Sequence, residues 1–262
     1  MIEGKKVLAV IPARYHSSRF PGKPLADIMG KPMIQWVYER ASQCEEIDEL
    51  IVATDDERIY QAVSSFGGKV MMTDRNHKSG TDRVREVAEK RDDMEIVANI
   101  QGDEPLISKE AITEAISALE EEKEAVVATL KRRIEKPEDI FNPNIVKVVT
   151  DDSGYALYFS RAPIPHPKRA PLGKEREWLL AHTEFLRNYF RHIGLYVFRR
   201  EFLLIYSTLK QTPLELIEGL EQLRILEYGY RIKVALTSYP SYEVNTKEDL
   251  EQVREIIRKG GT

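Results

Sequence analysis

The sequence holds a single cysteine, Cys44, so no disulfide can form within the chain and no cysteine-based metal site can be built. Cys44 lies in Ala-Ser-Gln-Cys-Glu-Glu at the end of a helical pattern. Reactive thiols need an electropositive setting, and this one reads as an inert helix-end cysteine. No apolar run approaches the roughly 20 residues that span a bilayer. The stretch 1–6 is polar and charged, and the apolar run 7–11 is too short for the core of a signal peptide. The expectation is a cytoplasmic protein with no membrane partner. An excess of positive charge is missing too. Lys and Arg number 39 against 43 Asp and Glu, a net charge of −4 that disfavours bulk nucleic-acid binding. Neither the Walker pattern nor Gly-x-Gly-x-x-Gly occurs, which argues against an ordinary P-loop NTPase or a dinucleotide-binding dehydrogenase.

What is present is a regular alternation. Apolar runs at 6–11, 49–53, 69–72 and 95–100 read as buried strands. Helical patterns at 33–43, 57–66, 81–90 and 109–122 lie between and after them, with Thr81 as the expected cap of the third. This order predicts an α/β fold, a mainly parallel sheet flanked by helices. After residue 125 the pattern changes. Strand-like runs at 125–131, 145–150 and 155–160, the last two joined by an Asp152-Ser-Gly turn, suggest a smaller antiparallel extension. Residues 162–177, rich in Pro, Lys and Arg, read as a mobile loop. Helical patterns at 178–190 and 213–228, strands at 193–198 and 232–236, and an amphipathic helix at 247–259 complete the chain. The 262 residues are expected to form one domain, with the extension over 125–200 inside it.

Two segments at strand ends carry chemistry. The first strand runs into Ile11-Pro-Ala-Arg14-Tyr-His-Ser17-Ser18-Arg19-Phe-Pro-Gly22-Lys23-Pro-Leu25. Ligands of open parallel sheets bind beyond the carboxyl ends of strands. Three cations with two serines and a glycine form a credible phosphate cradle there: arginine forks two oxygens, lysine acts as a point charge, and glycine lets backbone approach. The fourth strand runs into Gln101-Gly-Asp103-Glu-Pro105. An aspartate facing that basic loop suits Mg2+, which takes one or two carboxylates plus substrate phosphates. Asp55 and Asp56 read as the start of the next helix, near its positive end. Met71 and Met72 read as core or strand edge, His77 as a loop residue, and Lys168, Arg169, Lys174 and Arg176 as a solvated loop.

Together these segments resemble the 3-deoxy-manno-octulosonate (Kdo) cytidylyltransferase family. The resemblance rests on Ile11-Pro-Ala-Arg-Tyr, Ser18-Arg-Phe-Pro-Gly-Lys-Pro-Leu, Lys78-Ser-Gly-Thr-Asp-Arg83 and Asn99-Ile-Gln-Gly-Asp-Glu-Pro105. It continues through Phe141-Asn-Pro-Asn-Ile-Val-Lys-Val-Val149, Ala156-Leu-Tyr-Phe-Ser-Arg-Ala162, Arg191-His-Ile-Gly-Leu-Tyr196 and Pro213 to Arg224. The basic loop alone is shared with other sugar nucleotidyltransferases; the run 141–224 is more specific. The resemblance implies a homodimer that joins CTP and Kdo into CMP-Kdo and diphosphate for lipopolysaccharide synthesis, with Mg2+ as cofactor. It implies Arg14, Arg19 and Lys23 as triphosphate contacts, with Arg14, Lys23 and Asp103 carrying catalysis. Ala13, Ser79, Gly80 and Arg83 would lie near cytosine and ribose. Asp103 would ligate the metal, and Gln101, Arg161, His192, Tyr196, Glu221 and Gln222 would face the sugar. In the family a second metal-binding aspartate stands in Val-Asp-Thr-Pro-Glu-Asp-Leu; here the segment reads Val244-Asn245-Thr-Lys-Glu-Asp249-Leu. Asn245 offers a carbonyl oxygen without charge and is also a good helix N-cap, while Asp249 reads as part of the closing helix.

The expected chemistry is in-line attack of the Kdo anomeric hydroxyl on the α-phosphorus of CTP, carried by positioning and charge neutralisation. Three other readings share the motifs. One is the same transfer to another acid sugar, sialic acid or 8-amino-Kdo. A second is a nucleotide-sugar-binding protein without catalysis, against which Asp103 and Lys23 argue. A third is a glycosyltransferase, whose usual Asp-x-Asp spacing Gly102-Asp103-Glu104 lacks.

Overall fold

The computed structural model describes residues 5–16 and 20–260. In chain order its strands are β1 (Val7–Ala13), the short pair β2 (Asp27–Ile28) and β3 (Lys31–Pro32), β4 (Glu49–Thr54), β5 (Val70–Met72) and β6 (Ile96–Asn99). There follow β7 (Ala125–Arg133), β8 (Lys147–Thr150), β9 (Ala156–Ser160), β10 (Phe190–Arg199) and β11 (Arg231–Leu236). The chain divides into two compact units. The first is Met1–Ile116 with Leu195–Thr208 and Tyr239–Thr262; the second is Ser117–Gly194 with Leu209–Ser238.

In the first unit the strands lie side by side as β5-β4-β1-β6, all parallel, and the C-terminal half of β10 pairs antiparallel with β6. Val7 to Ile11 are all buried, which is why this strand reads as an unbroken apolar run rather than an alternating one: both its faces are covered. Each of Val7, Leu8, Val10 and Ile11 adds about 1.5–3 kcal/mol of burial free energy. Two of the helices between the strands begin at side-chain caps. Asp56 accepts from the Arg58 N–H and opens the helix Glu57–Ser65, as expected of it, whereas Asp55 pairs with Arg83 instead. The next helix, Gly80–Glu89, starts one residue before the expected point. Ser79, not Thr81, is its cap, in a reciprocal box with Asp82 that satisfies two otherwise orphaned donors. The closing helix Lys247–Arg258 is capped by Thr246 rather than Asn245, and Asp249 completes that box, as its expected helical role requires. Leu250 and Val253 of this helix pack on Ile28, Met33, Leu106 and Val244.

In the second unit β7 pairs in parallel with β11. On its other edge β7 lies beside β10, with the Ile134 N–H donating to the Tyr189 carbonyl, and β8 pairs antiparallel with β9 and with the start of β10, the turn at Asp152-Ser-Gly joining β8 to β9. Two expectations need correction here. The helical pattern 213–228 is two helices, Pro213–Glu218 and Gln222–Glu227, because Gly219 takes a left-handed conformation (φ 62°). The pattern 178–190 is a helix Glu175–Ala181 followed by a 3-10 stretch Thr183–Asn188, so helix begins inside the stretch expected to be loop. Among the described residues no helix is long and apolar enough to cross a membrane.

Candidate active site

The carboxyl end of β1 delivers Arg14. Its guanidinium donates to the carbonyl oxygens of His77 at 2.7 Å, Ser79 at 2.8 Å and Lys78 at 3.4 Å. One arginine thus fixes the whole 77–79 turn. The turn is braced from the other side by Glu86, which accepts from the Asp74 N–H, from His77 at 2.7 Å and from Lys90. Partial burial would raise the Glu86 carboxyl, but the Asp74 N–H, His77 and Lys90 together hold it down to about 2. His77, expected as a plain loop residue, is part of this brace. Arg83 lies fully buried behind the turn, donating to Asp55 at 2.9 Å and to Thr73 Oγ1. Burial draws its pKa downward and the Asp55 charge opposes this.

Beyond Arg14 the basic loop returns through Gly22, whose N–H donates to the Tyr15 carbonyl at 2.8 Å. Gly22 has φ 73°, and a Cβ there would stand 3.2 Å from the Tyr15 ring. The Arg58 guanidinium lies over that ring, 3.2 Å from the centroid. Ser17, Ser18 and Arg19 lie outside the described residues. Lys23 then begins a short 3-10 turn and donates to Asp103 Oδ2 at 2.7 Å; the two side chains are 14% and 26% exposed.

Asp103 reaches that position because β6 lies beside β1. The Ile100 N–H donates to the Val10 carbonyl, and the next turn passes so close to β1 that a Cβ on Gly102 would meet the Pro12 carbonyl oxygen at 2.8 Å. Only glycine fits there. The adjacent Glu104 faces the other way. It is 2% exposed and accepts from Tyr239 Oη at 2.5 Å and Ser241 Oγ at 2.6 Å. Burial, with the charges of Glu243 and Asp103, raises its pKa to about 7 against those two hydrogen bonds. The Val244 N–H donates to the Asp103 carbonyl at 2.9 Å, which brings Asn245 to the same turn. Asn245 donates its side-chain amide to Glu243 at 3.1 Å and its backbone N–H to Asp249 at 2.9 Å. Asp249 also accepts from the Thr246 N–H, so it is committed to the helix cap.

The residues expected on the sugar side fall in both units. In the first, Gln101 donates to Asn99 at 3.4 Å, and Tyr196 stands opposite Asn99 in the β10–β6 register. In the second, Arg161 is held by carbonyl oxygens: Glu218 at 2.7 Å, Pro143 at 3.0 Å and Gly219 at 3.4 Å. Its own backbone N–H donates to the Glu218 carboxylate. His192 Nε2 lies 2.9 Å from Thr129 Oγ1, with the ring edge-on to Phe159. Burial first, and then the Arg191 charge, push its pKa down to about 3, so the ring is neutral at neutral pH. Glu221 and Gln222 stand at the head of the helix Gln222–Glu227, and Gln222 is buried. Sequence reasoning passed over Lys147, which is fully buried and donates to the carbonyls of Ile145 at 2.6 Å, Arg161 at 2.7 Å and Asn142 at 3.0 Å. It lies in the run singled out at 141–149, but no local pattern marks a lysine as buried.

A basic loop and an acidic turn joined through Lys23 and Asp103 suit the handling of a nucleoside triphosphate. Comparison with known proteins agrees. Residues 8–232 match the model of the cytidylyltransferase family. The chain belongs to that family. It is 53% identical to the 3-deoxy-manno-octulosonate cytidylyltransferase of Geotalea uraniireducens (strain Rf4), over 97% of this chain and 100% of that protein. It is also 53% identical to the protein of the same name from Solibacter usitatus (strain Ellin6076), over 97% and 95%. A solved CMP:2-keto-3-deoxy-manno-octonic acid synthetase, complexed with CTP, superposes with a TM-score of 0.88 at 42% identity, over 98% of this chain and 100% of that one. The cytidylyltransferase fold, a mostly parallel sheet flanked by helices, is thus the one the strand–helix alternation predicts.

Proposed function

We propose that this cytidylyltransferase transfers CMP from CTP to the anomeric hydroxyl of 3-deoxy-D-manno-octulosonate, giving CMP-Kdo and diphosphate for lipopolysaccharide assembly. The observation that carries the nucleotide half is the Lys23–Asp103 pair at 2.7 Å, set at the carboxyl ends of two adjacent parallel strands. The sugar half rests on kinship. Lys23 would meet the phosphates as a compact charge and stabilise what builds on the departing diphosphate. Arg14 would act in two ways: as a phosphate contact, and as the brace that points the 77–79 turn toward the base. No covalent intermediate on the protein is required; orientation and charge neutralisation suffice.

Mg2+ fits the donors present. Among the described residues no cluster of three or more His, Cys, Asp or Glu side chains is placed to hold a metal by itself. One carboxylate, Asp103, stands where phosphates would supply further oxygens, the arrangement Mg2+ favours. The amide nitrogen of Asn245 is engaged with Glu243, which leaves its carbonyl oxygen as the group to offer a cation. Bound there, Mg2+ would supply positive charge to the phosphates and lower the pKa of the attacking hydroxyl. A charge-free Asn245 would make the second contact weaker than a carboxylate would.

The sugar-side reading keeps Gln101, Tyr196, Arg161, His192, Glu221 and Gln222. A neutral His192 would meet sugar hydroxyls rather than pair with an acid group. The second unit, which contains most of the 125–200 region, would serve sugar binding and dimerisation. Exposed Leu216 and Ile217, at 64% and 80%, support a homodimer. A cytoplasmic location follows from the need for CTP, and the net charge of −4 supports small-molecule substrates over nucleic acid.

The test is diphosphate release from CTP with Mg2+, comparing Kdo, sialic acid and no sugar. Kdo-dependent release is expected. Release only with sialic acid would move the assignment to another acid sugar, and CTP binding without release would make the protein a binder.

A further inference from the structure

Ten residues, 237–246, separate β11 from the closing helix, and they contain neither strand nor helix. Such a stretch must find partners for its polar groups elsewhere. At its end, the N–H groups of Asn245 and Thr246 go to Asp249, and that of Val244 to the Asp103 carbonyl. Within the first unit the middle of the stretch is tied by side chains. Tyr239 Oη and Ser241 Oγ, themselves 5% and 7% exposed, both donate to the two oxygens of Glu104. Ser241 is held at φ 51°, a left-handed backbone that a non-glycine residue keeps only when its surroundings over-determine it. Asp103 and Glu104 are thus neighbouring carboxylates with opposite duties. One meets Lys23, and the other is an internal strut.

We propose that Glu104 is a positioning residue for the transfer reaction: through Tyr239 and Ser241 it sets where Asn245 stands beside Asp103, and so sets how tightly the nucleotide-loaded protein holds its divalent cation. The inference rests on the magnesium reading above. Glu104 would act at a distance, through the backbone of 239–245. Partners that fix metal ligands from behind commonly govern affinity by about tenfold or more.

The experiment is Mn2+ binding, followed by electron paramagnetic resonance, to CTP-loaded protein without sugar. It compares the unchanged chain with Glu104→Gln, Ser241→Gly and the double variant. Ser241→Gly is the informative one. It removes the Oγ bond and relieves the left-handed strain together, so its melting temperature holds while one of the two bonds to Glu104 is lost. Each single variant is expected to weaken Mn2+ binding about tenfold, with CTP affinity in chelator unchanged, and the double variant to be no weaker than Glu104→Gln alone. A purely structural role would lower the melting temperature of Glu104→Gln and leave Mn2+ affinity alone in Ser241→Gly, and that result overturns the inference. If the unchanged chain with CTP binds no Mn2+, the magnesium reading itself fails and takes the inference with it.

Discussion

Lys23 and Asp103 neutralise each other, at 2.7 Å and largely out of solvent. Both have to be released or shared when a nucleotide triphosphate enters, so in the proposed reaction the pair would exchange partners: phosphate for Lys23, a cation for Asp103. Asp103→Asn and Lys23→Ala are each expected to lower kcat/KM on the order of 100-fold, about 3 kcal/mol in the transition state, as lost charge-stabilising groups do. Steady-state diphosphate release on folded variants reads this directly, and near-normal turnover in both would remove the pair from the mechanism. His192 bears on stability as well. Its folded pKa of about 3 lies below the ordinary histidine value, so between those two values the unfolded chain binds the extra proton. Stability from this group is complete above about pH 6.5 and is lost as pH falls toward 3, by at most about 1.4 kcal/mol per pH unit. Urea melts at pH 7 and pH 5 should therefore show a smaller acid loss in His192→Asn than in the unchanged chain. Equal losses would mean that the ring is already protonated in the fold.

At the scale of elements, caps and close approaches decide where each segment stops and what it presents. Thr246 closes a reciprocal box with Asp249 at the head of the last helix, directly after Asn245. Thr246→Ala should cost about 1 kcal/mol in chemical denaturation; no change would mean that the packing of Leu250 and Val253 alone holds the helix start. The strands were legible because β1, β4 and β6 are buried on both faces and so appear as short unbroken apolar runs. Glycine-marked turns were legible in part. The Gly102 approach to Pro12 was not readable as a contact, and Gly219, inside a helical pattern, hid a break between two helices. The cap of Gly80–Glu89 was missed by two residues because Ser79 and Thr81 are both competent caps, and only the position of Asp82 three residues after Ser79 selects between them. Arg14, Lys23 and Asp103 could be named from their places after strands. Glu104 and Lys147 could not be assigned their buried roles, because a charged residue announces burial only through partners far away in sequence, here Tyr239 and Ser241 in one case and the Arg161 carbonyl in the other.

For the whole molecule the open quantity is its oligomeric state. The second unit exposes Leu157 on β9 and Leu214, Leu216 and Ile217 on the short helix Pro213–Glu218. Leu216 and Ile217 are the most exposed of the three on that helix, and both leave apolar surface in water at a cost of about 25 cal/mol per Å2. A stable dimer buries about 800 Å2 on each partner, more than two side chains supply, so these residues would form the centre of a larger patch rather than all of it. Ile217→Glu places a charge at that centre while leaving the protomer's own core untouched, since the side chain is 80% exposed. Sedimentation equilibrium should give a dimer for the unchanged chain and a weight shifted toward the monomer for the variant, with far-ultraviolet circular dichroism unaltered. A dimer that survives the charge would move the interface away from this helix, and a monomeric unchanged chain would end the dimer proposal altogether.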